Sequence, residues 1–224
     1  MINRRRFSQF SALGLFHLPL WAADLSERDA ASGIRAALER GAIAAVALLG
    51  RQDGFLGNEK VRIGLPGGLN DAAKLLRATG QQKKVDELIT AMNRAAEAAI
   101  PEARALLVQT VKNVSVKDAL LIVRGGDTAV TDFFARNTRE PLAAKFLPIV
   151  TRATHKVSAA EKYNAVAAKA AKFGLVKNED ANVQHYVTRR ALDGLYLMIA
   201  EEEHKIRQDP VGTGSAILKK VFGG

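Results

Sequence analysis

Three polar constellations in this 224-residue chain have residue types and spacings that chemistry can use. The first is Asp193. It stands alone in Ala191-Leu192-Asp193-Gly194-Leu195-Tyr196-Leu197-Met198-Ile199-Ala200, a segment otherwise apolar all round. A helix apolar on every side lies at the centre of its protein, so the Asp193 carboxylate is expected to be desolvated unless a cation or donor reaches it. It is then either a ligand-binding or acid–base group, or half of a structural ion pair with Arg94 or Arg124. The ion pair is the simpler reading, because most buried carboxylates are paired. Gly194 costs about 1 kcal/mol of helix propensity, which predicts another element packed against it.

The second constellation is Met92-Asn93-Arg94-Ala95-Ala96-Glu97. Arg94 and Glu97 fall on neighbouring turns of one face, and Asn93 sits at the margin of the apolar stripe. These three either line a cavity or form a solvated i,i+3 pair. The third is Glu201-Glu202-Glu203-His204, which contains the Glu-x-x-His spacing of di-iron helical bundles. Such a site needs a second Glu-x-x-His, and neither His155 nor His185 has a Glu three residues before it. A solvated acidic turn is the expectation here, and no metal or other cofactor is expected.

Other chemistries lack their residues. With no Cys, disulfides, thiolate metal sites, iron–sulfur clusters and a cysteine nucleophile are excluded. HExxH, GxSxG, a Walker loop and a Rossmann fingerprint are all absent. Gly125-Gly126-Asp127-Thr128 reads as a junction between helices rather than an anion cradle. Aromatic residues make up 6% of the chain, which argues against a carbohydrate-stacking platform.

The elements that must position these residues are helical. Ser26-Glu27-Arg28-Asp29 reads as a capping box ahead of a stripe of Ile34, Leu38, Ile43, Val46 and Leu49. A turn-rich loop follows from Arg51 to Asn58, then Val61 to Pro66 alternates with period two and reads as extended. Helices are predicted over Leu69–Ala78 and Lys83–Ala99, with a restart at Pro101. Ser115 and Asp118 form a second capping box. Asp127 or Thr128 is expected to cap Ala129–Asn137, Thr138 to cap a separate helix, and Ser158 to cap one ending near Gly174. A long helix over Ala181–Gln208 and a short tail helix over Ser215–Phe222 complete the chain. The fold class is all-α: a single bundle of about nine or ten helices around a central C-terminal helix.

Residues 1–23 read as an address. Arg4, Arg5 and Arg6 precede a short apolar stretch from Phe10 to Trp21, then Ala22 and Ala23. This is the three-part pattern of an export signal, and Arg4-Arg5-Arg6-Phe7 resembles the twin-arginine motif. Cleavage near Ala22 or Ala23 would leave residues 24–224 as one all-helical domain in the periplasm. The full chain carries a net charge of +10; losing Arg4, Arg5 and Arg6 with the signal leaves +7, which would there meet anionic lipid or another anionic envelope component rather than nucleic acid.

Across its mature length the chain resembles the bacterial domain of unknown function 4197 family. The resemblance is carried by Asp53-Gly54-Phe55, Val61-Arg62-Ile63, Leu65-Pro66, Met92 to Glu97, Asp118-Ala119 and Gly125-Gly126-Asp127. It continues through Tyr163-Asn164, Tyr186-Val187, Asp193-Gly194, Glu201 to Glu203, Ile206-Arg207 and Lys220 to Gly223. It implies an exported helical protein of Gram-negative-type bacteria and brings no activity with it. The family's usual residue at the position of His204 is lysine.

The reading these residues favour is a non-catalytic periplasmic module that binds a lipid, a small apolar or amphipathic ligand, or an envelope partner. Asn93, Arg94, Glu97, Asn164 and Asp193 are the expected polar cluster of its site. An enzyme using Glu97 and Asp193, with Glu201 as a further candidate, as acid and base is the first alternative. A basic structural envelope protein is the second.

Overall fold

Apolar residues recurring at three and four, broken by Gly, Pro and capping side chains, give eight α-helices and two single 3-10 turns among the described residues. The computed structural model describes residues 27–209 apart from Thr79. The export segment, the cap at Ser26 and the tail helix lie outside the described residues. The helices are α1 (Glu27–Leu49), α2 (Gly67–Ala78), α3 (Gln82–Ala99), α4 (Ala103–Lys112), α5 (Val116–Arg124), α6 (Ala129–His155), α7 (Ser158–Lys172) and α8 (Val183–Gln208). The 3-10 turns are Ile100–Glu102, where Pro101 restarts the chain, and Asn178–Asp180. No strand occurs among the described residues, so the all-α class holds.

Among the described residues, two of the predicted helices are one. Thr138 does not start a helix; it lies inside α6. Its hydroxyl donates to Phe134 O at 2.6 Å, and the Tyr196 hydroxyl meets it at 2.8 Å. With the Thr138 proton used on the backbone, Tyr196 is the donor in that second bond. Pro141 and Pro148 also lie inside α6. Each removes the hydrogen bond to the carbonyl four residues back, Asn137 and Ala144. Both prolines and both carbonyl residues are exposed, so water can take those bonds and the helix survives. Its buried residues are Val130, Phe134, Thr138, Leu142, Phe146, Val150 and Thr154, one every four. Each step overshoots a full turn by about 40°, so the stripe winds around the axis and meets several neighbours, chiefly α8, α3 and α4.

α8 is central, as the sequence predicts. It packs on α6, α1 and α3 and buries residues from Val183 to Ile206. Asn182 caps it, accepting from the amides of Gln184 and His185 at 2.9 and 3.1 Å. The Ser115–Asp118 capping box is present at the start of α5. Thr128 and Ser158 cap nothing through their side chains. The start of α6 is instead capped from another helix: Glu203 of α8 accepts from the amides of Val130 and Thr131 at 3.2 and 3.3 Å. Arg207 completes the group at 2.8 Å from Glu203. Glu203 is therefore buried, not part of a solvated turn. Of its neighbours, Glu201 pairs with Lys60 and Glu202 with Lys205, both at 2.6 Å, while His204 meets Gln208.

Candidate functional site

The extended segment predicted at Val61–Pro66 has no partner strand. One side chain takes the partner's place. Asn93 Oδ1 accepts from the Ile63 amide at 2.8 Å, and Asn93 Nδ2 donates to Ile63 O at 2.9 Å and to Ile89 O at 2.8 Å. One turn further along α3, Glu97 Oε1 accepts from the amides of Phe55 and Leu56 at 3.0 and 3.1 Å. Its other oxygen takes Arg94 at 2.7 Å, and Arg94 reaches on to Asp53 at 2.8 Å. Both carboxylates raise the already high pKa of Arg94, Glu97 foremost. Asp53 is held at φ 62, a left-handed conformation that Asp tolerates better than most residues. Arg94 and Glu97 form the i,i+3 pair, with Glu97 buried rather than solvated, and Asn93 bonds separately to the same loop. Their partners are the backbone and Asp53 of the 51–66 loop.

That loop is pressed into the bundle. Phe55, Val61 and Ile63 are buried. The Phe55 ring lies over Gly194, where an added Cβ would sit 2.8 Å from Phe55 Cε1 and 3.3 Å from Val61 Cβ. The close approach predicted from Gly194 is therefore real, and the approaching element is the loop. Tyr186 donates to Gly64 O at 2.8 Å, fixing the point where the loop turns into Leu65-Pro66 and α2.

Asp193 lies elsewhere and is only half-buried, with 33% of its side chain exposed. The expected desolvation is corrected by its charged neighbours. It pairs with Arg139 at 2.9 Å, Arg189 at 3.5 Å and Arg190 at 3.8 Å, not with Arg94 or Arg124. Arg189 also binds Asp180. Asn164 occupies a third place: its Oδ1 accepts from the Val183 amide at 2.8 Å, tying α7 to the start of α8. Glu97 and Asp193 share no bonding partner, and both Glu97 oxygens are already taken by three donors. As an acid–base pair they are poorly arranged.

An apolar cleft of about 400 Å³ opens between α2, α3 and α7. Its walls include Leu65, Leu69, Val85, Leu88, Tyr163 and Val166, and Lys84 and Lys162 stand at its rim with Glu87. The volume suits one small ligand or one alkyl chain. A neighbouring depression of about 810 Å³, between α3 and the α6–α7 junction, is widely open, and so offers little burial.

The predicted polar residues are not among those lining the cleft; two of them fix its walls. Asn93 sets Ile63, two residues before Leu65. Asn164 sets α7 one residue from Tyr163. Tyr163 itself donates to Asp180 O at 2.8 Å and stacks on Tyr186 with ring centroids 6.4 Å apart. Burial pushes the Tyr163 phenol well above its ordinary pKa, so it stays a proton donor to the backbone. The sequence reading missed Lys84, Lys162 and Val166. A signal did exist: Val166 is a large apolar residue on an alanine-rich helix, one turn from a lysine.

No curated protein and no solved structure matches this chain. The family described as protein of unknown function (DUF4197) matches residues 24–223. Of the segments quoted above, Asp53 to Phe55, Val61 to Ile63, Met92 to Glu97, Asp193-Gly194 and Glu201 to Glu203 dock the 51–66 loop on α3, seat Phe55 on Gly194 and bury Glu203. The chain therefore belongs to the DUF4197 family.

Proposed function

We propose that the protein is an exported, non-catalytic binding module, and that its ligand is an amphiphile with an apolar chain and an anionic head. The observation that carries this reading is the cleft between α2, α3 and α7: an aliphatic floor with Lys84 and Lys162 at the mouth. Burying a chain of six to eight methylenes there would contribute about 5–6 kcal/mol at about 0.8 kcal/mol per methylene. A lysine at the rim then favours a carboxylate, sulfate or phosphate head over a neutral one. Export is supported by the basic–apolar–small pattern of residues 1–23, and the region shared with the family fits a mature chain that starts after Ala23.

The test is displacement of a dansylated undecanoic acid from the purified protein, with native mass spectrometry of protein from its own host. Saturable binding is expected, with displacement by a lysophosphatidylglycerol or a long-chain fatty acid and weaker displacement by the matching alcohol. Lys84→Glu should weaken binding about tenfold, and Ala159→Phe, at a partly buried wall position, should narrow the cleft and weaken it further, with thermal melting checking that each variant folds. Absence of any retained amphiphile together with unsaturable probe binding would overturn the proposal.

A further inference from the structure

We infer that the C-terminal end of α7 is a docking surface for anionic lipid bilayers, with Phe173 and Leu175 entering the interface and Lys162, Lys169 and Lys172 meeting the head groups. The inference does not depend on the cleft being occupied.

Five large apolar side chains are exposed among the described residues: Leu121, Val166, Phe173, Leu175 and Leu197. Three of them fall within ten residues of one another. Phe173 is 81% exposed and Leu175 65%. Single exposed apolar side chains are ordinary, whereas a cluster of them rimmed by polar residues marks an interaction site.

The geometry holds these side chains outward. Leu175 N donates to Ala170 O and Gly174 N to Ala171 O, both at 3.0 Å. Gly174 has φ +71. These are the two bonds and the left-handed residue of a Schellman ending. Phe173 and Leu175 therefore sit on a locked turn and are presented together. Along the helix, Lys162, Val166, Lys169 and Phe173 are spaced i, i+4, i+7 and i+11, so they share one face. That face alternates cation and apolar group. Lys162, Lys169 and Lys172 are exposed and form no ion pair among the described residues. The opposite face, with Ala160, Tyr163 and Ala167, is buried in the bundle.

Charge and size select the occupant. A stable protein interface buries about 800 Å² on each partner and takes some 20–30 residues a side. Here three apolar side chains stand within ten residues of chain. A lipid surface needs only an apolar wedge and several unpaired cations. No described helix is long and apolar enough to cross a membrane. Lys162 and Val166 also border the cleft, which puts the cleft mouth beside the docking face.

The experiment is co-sedimentation of the protein, in the form that accumulates in its producing cell, with vesicles of phosphatidylethanolamine and phosphatidylglycerol. Vesicles of phosphatidylcholine serve as the neutral control. Binding is expected only to the anionic vesicles, and should fade as salt rises from about 0.05 M to 0.5 M. Replacing Lys169 and Lys172 by Gln should weaken partitioning about fivefold per lysine. Phe173→Ser with Leu175→Ser should weaken it at least about tenfold. None of these four residues lines the cleft, so dansyl-undecanoate binding should be unchanged in every variant. Thermal melting checks that each variant folds. No sedimentation with anionic vesicles would overturn the inference, as would undiminished sedimentation of a variant that combines all four replacements. A sedimentation-velocity shift from dimer to monomer on Phe173→Ser, without vesicle binding, would assign the patch to a second copy of the chain.

Discussion

Replacing Asn93 removes the side chain that pairs with both backbone groups of Ile63. Asn93 is fully buried, and its amide gives or takes three bonds at 2.8–2.9 Å. In Asn93→Ala the Ile63 N–H and C=O lose their partner together. A buried polar group left unsatisfied costs about 1–3 kcal/mol, so the pair costs about 2–6 kcal/mol. The loop could escape this cost by undocking and letting water in. Undocking would expose Phe55, Val61 and Ile63, at about 1.5–3 kcal/mol each, a total of about 4.5–9 kcal/mol. The apolar anchors outweigh the lost bonds across most of that range. The loop should therefore stay down, and the loss should appear in global stability. For a chain of this length each kcal/mol lowers Tm by about 2–4 °C, so a loss of about 3 kcal/mol gives roughly 6–12 °C. Asn93→Asp should be worse than Ala at neutral pH, because it points a carboxylate at the carbonyls of Ile63 and Ile89. Burial against two carbonyls raises the folded-state pKa of that carboxyl, so its extra deficit should begin to shrink at pH values above the ordinary aspartate range and be fully recovered once pH falls below that range. Urea unfolding measures all three proteins, and hydrogen exchange reads the Ile63 amide. A loss under about 0.5 kcal/mol for the Ala variant, or an Asp variant as stable as Ala, would refute the view of this amide as a surrogate strand.

The remaining predictions concern other contacts of the same core. Gly194→Ala should destabilise by about 1–3 kcal/mol through overpacking against Phe55, despite its better helix propensity, and a second change of Phe55→Leu should recover part of the loss in a double-mutant cycle. Glu203→Ala removes the cap of α6 and the partner of Arg207; about 3 kcal/mol should be lost in urea unfolding, with fraying at Val130 and Thr131 in hydrogen exchange. The chain has three tyrosines, and burial raises the pKa of each of them. The folded state then keeps protons that the unfolded state releases above pH ~10, so stability is fully present below that pH and is lost as pH rises beyond it. Absorbance at 295 nm should show no tyrosinate in the folded protein near pH ~10.5, and its appearance there without unfolding would refute the burial.

Local interactions decided what the sequence could state by itself. Helix periodicity, the Ser115–Asp118 box, the stop at Gly174 and the full apolar stripe of α3 depend on residues within one or two turns of each other. Each appears as expected. Asn93 at the stripe margin and Gly194 inside an apolar helix were also legible, because a misfit residue in a regular pattern demands a reason. Their partners were not. Thr138 has the composition of a cap, but its hydroxyl is taken by Phe134 and by Tyr196, 58 residues away. Glu203 looks solvated until α6 starts above it. Asp193 looked buried because its helix is apolar all round, and only the packing of α6 brings Arg139 to it. The cleft is the extreme case. It is space left where α2, α3 and α7 fail to close on one another, and no periodicity encodes a gap between elements distant along the chain. Sequence fixes which face of a helix avoids water; the shapes of several such faces, brought together, decide where packing is incomplete and a ligand can enter.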